Sequence, residues 1–318
     1  MSAWSCGAGG RSLLLGLALA ASACEDDFPL GSWGVTAKPT QPVAASPACG
    51  ELGTPEPVNQ AGPSIGTTTP STVWSWPAPV DSMEWDLVIE TDPQTDGYYW
   101  AHQFSWVGGL KGYFGLQAFG GYQEDPTPTA TMPNGSPVEF TKIALFWVAG
   151  QTLTGELGDI TGSKNARVAL QQEPGVTFLT INARYDWTAC NVYRLRLARY
   201  STEDDGSVWW GAWIENQTTN DITLLGRILV PSSWGQLQQF STMYTARIDN
   251  APGAAVSTCS EPEPASAIFG TPTANDGQVL PVDHQNGFPT PARCPTSRFT
   301  PLATGVRQEI GLRPPVAP

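Results

Sequence analysis

The sequence contains only two histidines, His102 and His284, among its 318 residues. Histidine is the usual general base of nucleophilic triads and a common ligand of zinc. His102 lies in an aromatic segment, where a structural core histidine is expected, and His284 lies among Pro, Gly and Asn residues typical of a loop. Serine-triad hydrolases and histidine-based zinc enzymes are therefore disfavoured.

Basic residues are also few, with 16 Lys and Arg against 29 Asp and Glu and a net charge of −13. Nucleic acid is excluded as a partner because binding phosphate requires a basic surface. Anionic lipid is disfavoured for the same reason, so we expect any membrane attachment to depend on a lipid anchor.

No apolar run is long enough to cross a bilayer as a helix, which needs about 20 residues. The longest near the N-terminus is Leu13–Ala21, which follows Arg11 and ends in Ala-Ser-Ala before Cys24. Small residues at such a position predict a cleaved signal peptide over residues 1–23. The segment resembles the leaders of bacterial lipoproteins, which implies lipidation of Cys24. We therefore expect an exported protein, at the cell surface or in the periplasm as a lipoprotein, or alternatively secreted without lipid.

The cysteine count agrees with this expectation. Cleavage removes Cys6 from the six cysteines, and lipidation of Cys24 leaves an even number for an oxidising compartment. The disulfide candidates are Cys49, Cys190, Cys259 and Cys294. Four cysteines allow three connectivities, and the sequence leaves them open.

Three regions follow the signal peptide. Residues 24–72 are rich in Pro, Ser, Thr and Ala and predict a flexible tether. Residues 73–250 contain about ten short runs with two-residue alternation and no sustained helical stripe, and Asp205-Gly206 predicts a hairpin turn. This pattern predicts an all-β fold, an antiparallel β-sandwich of the jelly-roll or concanavalin-like type. Residues 251–318 lack periodicity and predict an irregular C-terminal segment held by disulfide.

Two neighbouring segments carry a family resemblance. Gly112-Tyr113-Phe114-Gly115-Leu116-Gln117 and Ile143-Ala144-Leu145-Phe146-Trp147 resemble the core of an uncharacterised family of exported bacterial β-sandwich domains. That family shows a Gly-Tyr-x-Gly-Ile-Gln strand followed by a strand ending in Ser-Val-Trp, where this chain has Leu145-Phe146. The resemblance covers roughly residues 98–247 and implies a β-sandwich often found beside carbohydrate-related modules, with no catalytic residues to transfer.

Tryptophan is abundant, with 13 residues in the chain. Trp209 and Trp213 share one strand face about 13 Å apart, with Gly211 between them as a gap for a ligand. Tyr113 and Gln117 flank Gly115 in the same way. Aromatic rings stack on sugars, but they also fill sandwich cores. We take Tyr113, Gln117, Trp209 and Trp213 as candidate ligand-binding residues, with core packing as the alternative.

The best catalytic alternative is the segment from Glu84 to Glu90. It resembles the Glu-x-Asp-x-(x)-Glu strand of jelly-roll endoglucanases, which implies Glu84 and Glu90 as the nucleophile and the acid/base, with Asp86 between them. Here the third carboxylate comes one residue too late, because Val88 and Ile89 occupy the places it should take. Retaining hydrolysis needs its two carboxyls about 5–5.5 Å apart, whereas Glu84 and Glu90 on a regular strand are roughly 20 Å apart. A solvated strand face explains the same alternation.

Two acidic turns are weak candidates for structural calcium, which prefers oxygen ligands. One contains Asp92 and Asp96, the other Asp204 and Asp205, and Asp-rich turns are also ordinary turn chemistry. No other cofactor is expected.

These observations predict an extracytoplasmic, lipid-anchored binding protein that recognises carbohydrate through an aromatic strip. The partner would be a glycan or an extracellular protein. The alternatives are a glycoside-hydrolase-like enzyme and a structural or assembly lipoprotein without a small ligand.

Overall fold

A computed structural model describes residues 49, 70–93, 97–118, 142–151, 153, 157–163, 166–247, 264–287 and 297–311. All of them belong to one compact unit, 37–318. The predicted signal peptide, Cys24 and nearly all of the predicted tether lie outside the described residues. Within the described ranges no helix is long and apolar enough to span a membrane.

The described chain is built from strands with two short 3-10 turns, Leu157–Asp159 and Ser232–Trp234. In chain order the strands are β1 Ser71–Ser75, β2 Ser82–Ile89, β3 Tyr98–Ser105, β4 Lys111–Ala118, β5 Lys142–Gly150, β6 Ile160–Gly162, β7 Ala166–Glu173, β8 Val176–Arg184, β9 Val192–Thr202, β10 Val208–Asn216, β11 Asp221–Val230, β12 Phe240–Arg247, β13 Ala265–Gly270, β14 Thr273–Ala274, β15 Asp283–Gly287, β16 Arg298–Leu302 and β17 Gly305–Ile310.

The strands form two antiparallel sheets that pack face to face. The first sheet has the order β15-β1-β12-β3-β4-β5-β8-β7, and the second has the order β16-β17-β13-β2-β9-β10-β11-β6, with β14 paired to β2. The predicted all-β sandwich is confirmed.

Alternation along the central strands places one face of each in the core. On β4, Phe114 and Leu116 are fully buried between the sheets, so Tyr113 and Gln117 point to the outer face of the first sheet. The core is rich in indoles, each of which removes a large apolar area from water. Its fully buried tryptophans are Trp85, Trp100, Trp106, Trp187, Trp210 and Trp234.

The predicted hairpin joins β9 to β10. Gly206 has a φ of +84°, a conformation that costs glycine nothing. The Asp205 carboxylate accepts hydrogen bonds from the Ser207 amide and hydroxyl and closes the turn. A register shift between Trp209 and Trp210 then adjusts the pairing of the two strands.

The C-terminal segment differs from its prediction as an irregular tail. β13 pairs with β2, and β17 pairs with β13, so residues of this segment extend the second sheet. Two-residue periodicity of apolar residues did not predict β17, because Gln308, one of its core-facing residues, is polar. The buried Gln308 amide donates to Thr72 Oγ1 and to the Met243 carbonyl of the first sheet.

One disulfide joins Cys49 to Cys190, across 141 residues of sequence. Cys49 packs beside a small apolar cluster of Val88, Val192 and Ile268 on the outer face of the second sheet. The bridge therefore fastens one point of the predicted tether to the sandwich. Cys259 and Cys294 lie outside the described residues.

Candidate functional site

A continuous row of aromatic rings crosses the outer face of the first sheet. Its members come from the five adjacent strands β12, β3, β4, β5 and β8, and we call them the aromatic belt: Tyr244, Tyr99, Tyr113, Trp147 and Phe178. The Tyr113 and Trp147 rings stack at 4.5 Å, and Trp147 lies 5.4 Å from Phe178. Tyr99 meets Tyr244 edge to face at 5.7 Å. The strand register brings together rings that are distant in sequence.

Two carboxamides lie on the same face as the belt. Gln117 follows Tyr113 on β4, and Asn182 lies on β8 opposite Leu145. The two residues are 8% and 7% exposed, so both lie at the floor of the face rather than at its rim. The Oδ1 atom of Asn182 is buried and has no hydrogen-bond partner within the described part of the chain. A buried acceptor without a partner is costly, and a ligand can relieve that cost.

Two tyrosines of the belt, Tyr99 and Tyr244, are held in their neutral form by burial. Burial, with the nearby Tyr244 and Tyr113 hydroxyls, raises the pKa of Tyr99 well above its ordinary value. Burial raises the pKa of Tyr244 as well. This face therefore offers rings, hydroxyls and amides, with the Lys111 ammonium 5.9 Å from the Tyr113 ring and Arg167 opposite Asn182 in the strand register.

Small residues leave the middle of this sheet face without large side chains. A Cβ on Gly115 would lie 2.1 Å from the Trp100 carbonyl oxygen and 2.7 Å from the Ala101 Cα atom. Only glycine permits this approach of β3 to β4. The predicted gap between Tyr113 and Gln117 is thus a shallow notch floored by Ala101.

The second predicted strip lies on the outer face of the second sheet, where Trp209 and Trp213 are both half-buried. The glycine between them is not a gap for a ligand, because the indole of Trp213 folds back over it. A Cβ on Gly211 would lie 2.4 Å from Trp213 Cη2. The Trp213 ring also stacks on Tyr200 at 6.2 Å, and the Trp209 indole donates to the Glu203 carboxylate. These contacts hold the two tryptophans in place as surface packing.

The three carboxylates of the catalytic alternative lie on the outer face of the second sheet along β2, and each has different partners. Asp86 receives two hydrogen bonds from Arg194, at 3.0 and 3.3 Å. Glu90 is buried and accepts from Arg307 at 2.8 Å and from the Ser266 hydroxyl. Val88 between them is fully buried, so this face is not the solvated surface that alternation suggested.

Glu84 has a different environment from its two neighbours. It is half-buried, its Oε1 accepts from the Thr273 hydroxyl at 3.0 Å, and no ion pair to it is formed within the described ranges. It lines a cavity of about 210 Å³ together with Asp86, Arg194 and residues of the loops after β13 and β16.

The histidines have no catalytic arrangement. His102 is completely buried against Trp85, and burial lowers its pKa to about 3. Neither ring nitrogen of His102 has a hydrogen-bond partner among the described residues, so it is a core histidine but not a satisfied one. His284 is exposed on β15 and stacks on Trp74 at 5.0 Å.

The predicted calcium turns are engaged in other contacts where they are described. Asp92 pairs with Lys142, and hydrogen bonds from Ser207 lower the pKa of Asp205. Asp204 lies in the same exposed turn, and Asp96 is outside the described residues. No group of three or more His, Cys, Asp or Glu side chains with metal-binding geometry occurs in the described ranges.

No family model matches the sequence, and no curated protein matches it. A comparison with solved structures does find similar chains. One is a Scytalido-glutamic peptidase with a peptide-based transition-state analogue, at 11% identity and a TM-score of 0.41. Another is SCP-B, a member of the Eqolisin family of peptidases, in complex with the tripeptide Ala-Ile-His, at 10% identity and a TM-score of 0.41. Each comparison covers 78% of this chain and all of the other.

The predicted function is corrected at this point. Both solved structures are peptidases, whereas the sequence predicted a carbohydrate-binding protein, with a glycosidase or a structural lipoprotein as alternatives. The prediction of carbohydrate recognition was wrong. Its physical basis is also weakened, because the Gly211 gap between Trp209 and Trp213 is filled by an indole.

Sequence reasoning placed some of the residues of this face together and did not single out the others. Tyr113 and Gln117 were found by parity on β4, but Asn182 and Tyr99 were not singled out. Asn182 lies on the same face of β8 as Thr180 and Phe178, and this two-residue spacing was the signal available in the sequence. Which strands lie beside β4 depends on the sheet order, and single-strand periodicity does not contain that information.

Proposed function

We propose that the protein binds polypeptide segments in an extended conformation on the outer face of the first sheet. The observation that carries the proposal is the Asn182 side chain, 7% exposed, with its Oδ1 unpartnered among the described residues. This acceptor faces the same side as the Gln117 carboxamide and the aromatic belt.

A peptide fits the chemistry of this face. A carboxamide has one acceptor oxygen and two donor hydrogens, so it can pair with both the N–H and the C=O of a peptide unit. The belt crosses five strands, a distance of roughly 19 Å at the spacing of strands in a sheet. An extended peptide of about six residues has that length. The rings would contact its side chains.

The proposal is tested with a library of immobilised hexapeptides probed with the labelled protein. We expect Asn182→Leu to weaken binding of the selected peptides about tenfold or more. The same change is expected to leave the thermal unfolding midpoint unchanged or slightly higher, because it removes a buried acceptor that the free protein does not satisfy. Gln172→Leu, at an exposed position of the edge strand β7 with the parity opposite to that of the belt, is the matched control.

Peptide binding that survives both Asn182→Leu and Tyr113→Ala would refute the assignment of this face. The incubated peptides are also analysed by mass spectrometry. Intact peptides indicate binding alone, whereas fragments whose yield falls in Asn182→Leu would extend the proposal to peptide hydrolysis.

We also propose that the protein acts outside the cytoplasm. The leader-like N-terminus supports this, and so does the Cys49–Cys190 disulfide, since such bonds persist mainly in oxidising compartments. Labelling with palmitate tests the lipid anchor. Incorporation that is lost in Cys24→Ser is expected for a lipoprotein, and export without label would indicate a secreted protein.

A further inference from the structure

The cavity beside Glu84 lies on the outer face of the second sheet, on the opposite side of the sandwich from the aromatic belt. Its volume of about 210 Å³ is below that of typical small-molecule sites, which begin near 300 Å³. A cavity of this size accommodates one side chain or a short amine. Its polar lining includes Glu84, Thr271, Thr273 and Thr304, and its apolar lining includes Leu280.

Among the described residues around the cavity, Glu84 has no ion pair of its own, whereas its charged neighbours do. Asp86 is paired with Arg194, and Arg196, which lies opposite Glu84 in the strand register, is paired with Asp276. Burial acts to lower the pKa of Arg194, but Asp86, with Glu84 and Glu215, raises it overall. Glu84 and Glu215 thus add two carboxylates near the Arg194 guanidinium, which Asp86 already binds. The net charge around the cavity is therefore negative.

The hydrogen bonding of Glu84 selects the kind of cation. Its Oε1 accepts from the Thr273 hydroxyl at 3.0 Å, and its Oε2 has no hydrogen-bond partner among the described residues. A guanidinium prefers to engage both oxygens of a carboxylate, whereas an ammonium group binds as a compact charge with three donors. One free carboxylate oxygen beside threonine hydroxyls suits the ammonium group. Leu280, which is 59% exposed at the cavity, offers apolar contact to an alkyl stem.

We propose that this cavity binds a primary alkylammonium group, with Glu84 as its counter-ion. The chemistry is shared by a lysine side chain of a peptide and by a free alkylamine. The site is independent of the proposed peptide-binding face, because none of its residues belongs to the first sheet.

The test is isothermal titration calorimetry with N-acetyl-lysine methylamide and with the norleucine derivative, which has the same stem without the ammonium. We expect the lysine derivative to bind at least about tenfold more tightly, and Glu84→Gln to abolish this preference. The glutamine keeps an acceptor for Thr273. Glu203→Gln, at an exposed carboxylate of the same sheet, should retain the preference.

A second variant guards against a folding defect in Glu84→Gln. Leu280→Lys adds an ammonium at the cavity from an exposed position and should also remove the preference for the lysine derivative.

Titration with n-butylamine distinguishes the two sources, since affinity equal to that of the lysine derivative indicates a free amine. Equal binding of the lysine and norleucine derivatives, or a preference that persists in Glu84→Gln, would overturn the proposal. Asn182→Leu should leave this binding unchanged, so failure of one site is separable from failure of the other.

Discussion

At the scale of single residues, His102 shows how a polar side chain is accommodated in an aromatic core. Its ring lies 4.5 Å from Trp85, and both nitrogens are buried without partners among the described residues. Because burial disfavours the charged imidazolium, the folded protein holds this ring neutral, with a pKa of about 3. The sequence pattern placed His102 inside correctly, but it implied a hydrogen-bonded histidine.

This burial predicts a pH dependence of stability. Since the pKa of His102 is lower in the folded state, the unfolded chain binds more protons between pH 6.5 and pH 3. The neutral ring therefore makes its full contribution to the free energy of unfolding above pH 6.5. This contribution is lost as the pH falls through that window, by about 1.4 kcal/mol per pH unit. Urea unfolding of wild type and His102→Leu at pH 7.0 and 4.5 measures it.

We expect the free energy of unfolding of His102→Leu, taken relative to that of the wild type, to rise by about 2–3 kcal/mol from pH 7.0 to pH 4.5. Parallel loss of stability in the two proteins would show that His102 does not titrate in this way. His284, which is exposed on the edge strand β15, provides the control: His284→Leu should follow the wild type across the range.

At the scale of strands, the sequence predicted the central elements because their faces differ in polarity. β4 and β10 alternate between buried and outer positions, and two-residue periodicity identifies such strands. β13 and β17 were missed for different reasons. All six residues of β13 are buried, so it does not alternate. β17 directs Gln308 into the core and Glu309 into a buried ion pair with Arg298.

An ion pair across β13 predicts how these late strands are held. Glu90, at the end of β2, is 7% exposed and bonded through both carboxylate oxygens to Arg307 of β17. Loss of one partner leaves the other charge buried, so Glu90→Ala should lower the free energy of unfolding by about 2–3 kcal/mol. Chemical denaturation measures the effect, with Glu173→Ala on the exposed end of β7 as the control.

The paired variant Glu90→Leu/Arg307→Met should recover most of this loss, because it removes both charges from the low-dielectric site. If Glu90→Ala were as stable as wild type, β17 would be held by backbone pairing and packing alone.

At the scale of the whole molecule, the disulfide is the longest-range covalent constraint among the described residues. Cys49 and Cys190 are separated by 141 positions. A cross-link of that span reduces the entropy of the unfolded chain. The loop-closure relation gives ~5 kcal/mol as the upper value of the resulting stabilisation. We expect Cys49→Ser, Cys190→Ser and the double variant each to lose about 2–5 kcal/mol in urea unfolding.

Equal losses in the three proteins are the internal control, since each change breaks the same bond. Losses that add in the double variant would instead indicate separate roles for the two thiols. The bond also covers Val88 and Val192 near its ends, so reduction should expose part of this apolar cluster.

The sequence by itself determined that this is an acidic, all-β protein with an indole-rich core, and it placed Tyr113 and Gln117 on one outward face. Those properties follow from composition and from alternation within a strand, which are local. Tertiary structure alone decided that Asn182 and Trp147 join them, that Trp213 closes the Gly211 gap, and that Glu84 lacks the partner which Asp86 and Glu90 have. Sheet order and register set these contacts between residues far apart in the chain, and the pattern of a single strand carries no record of its neighbours.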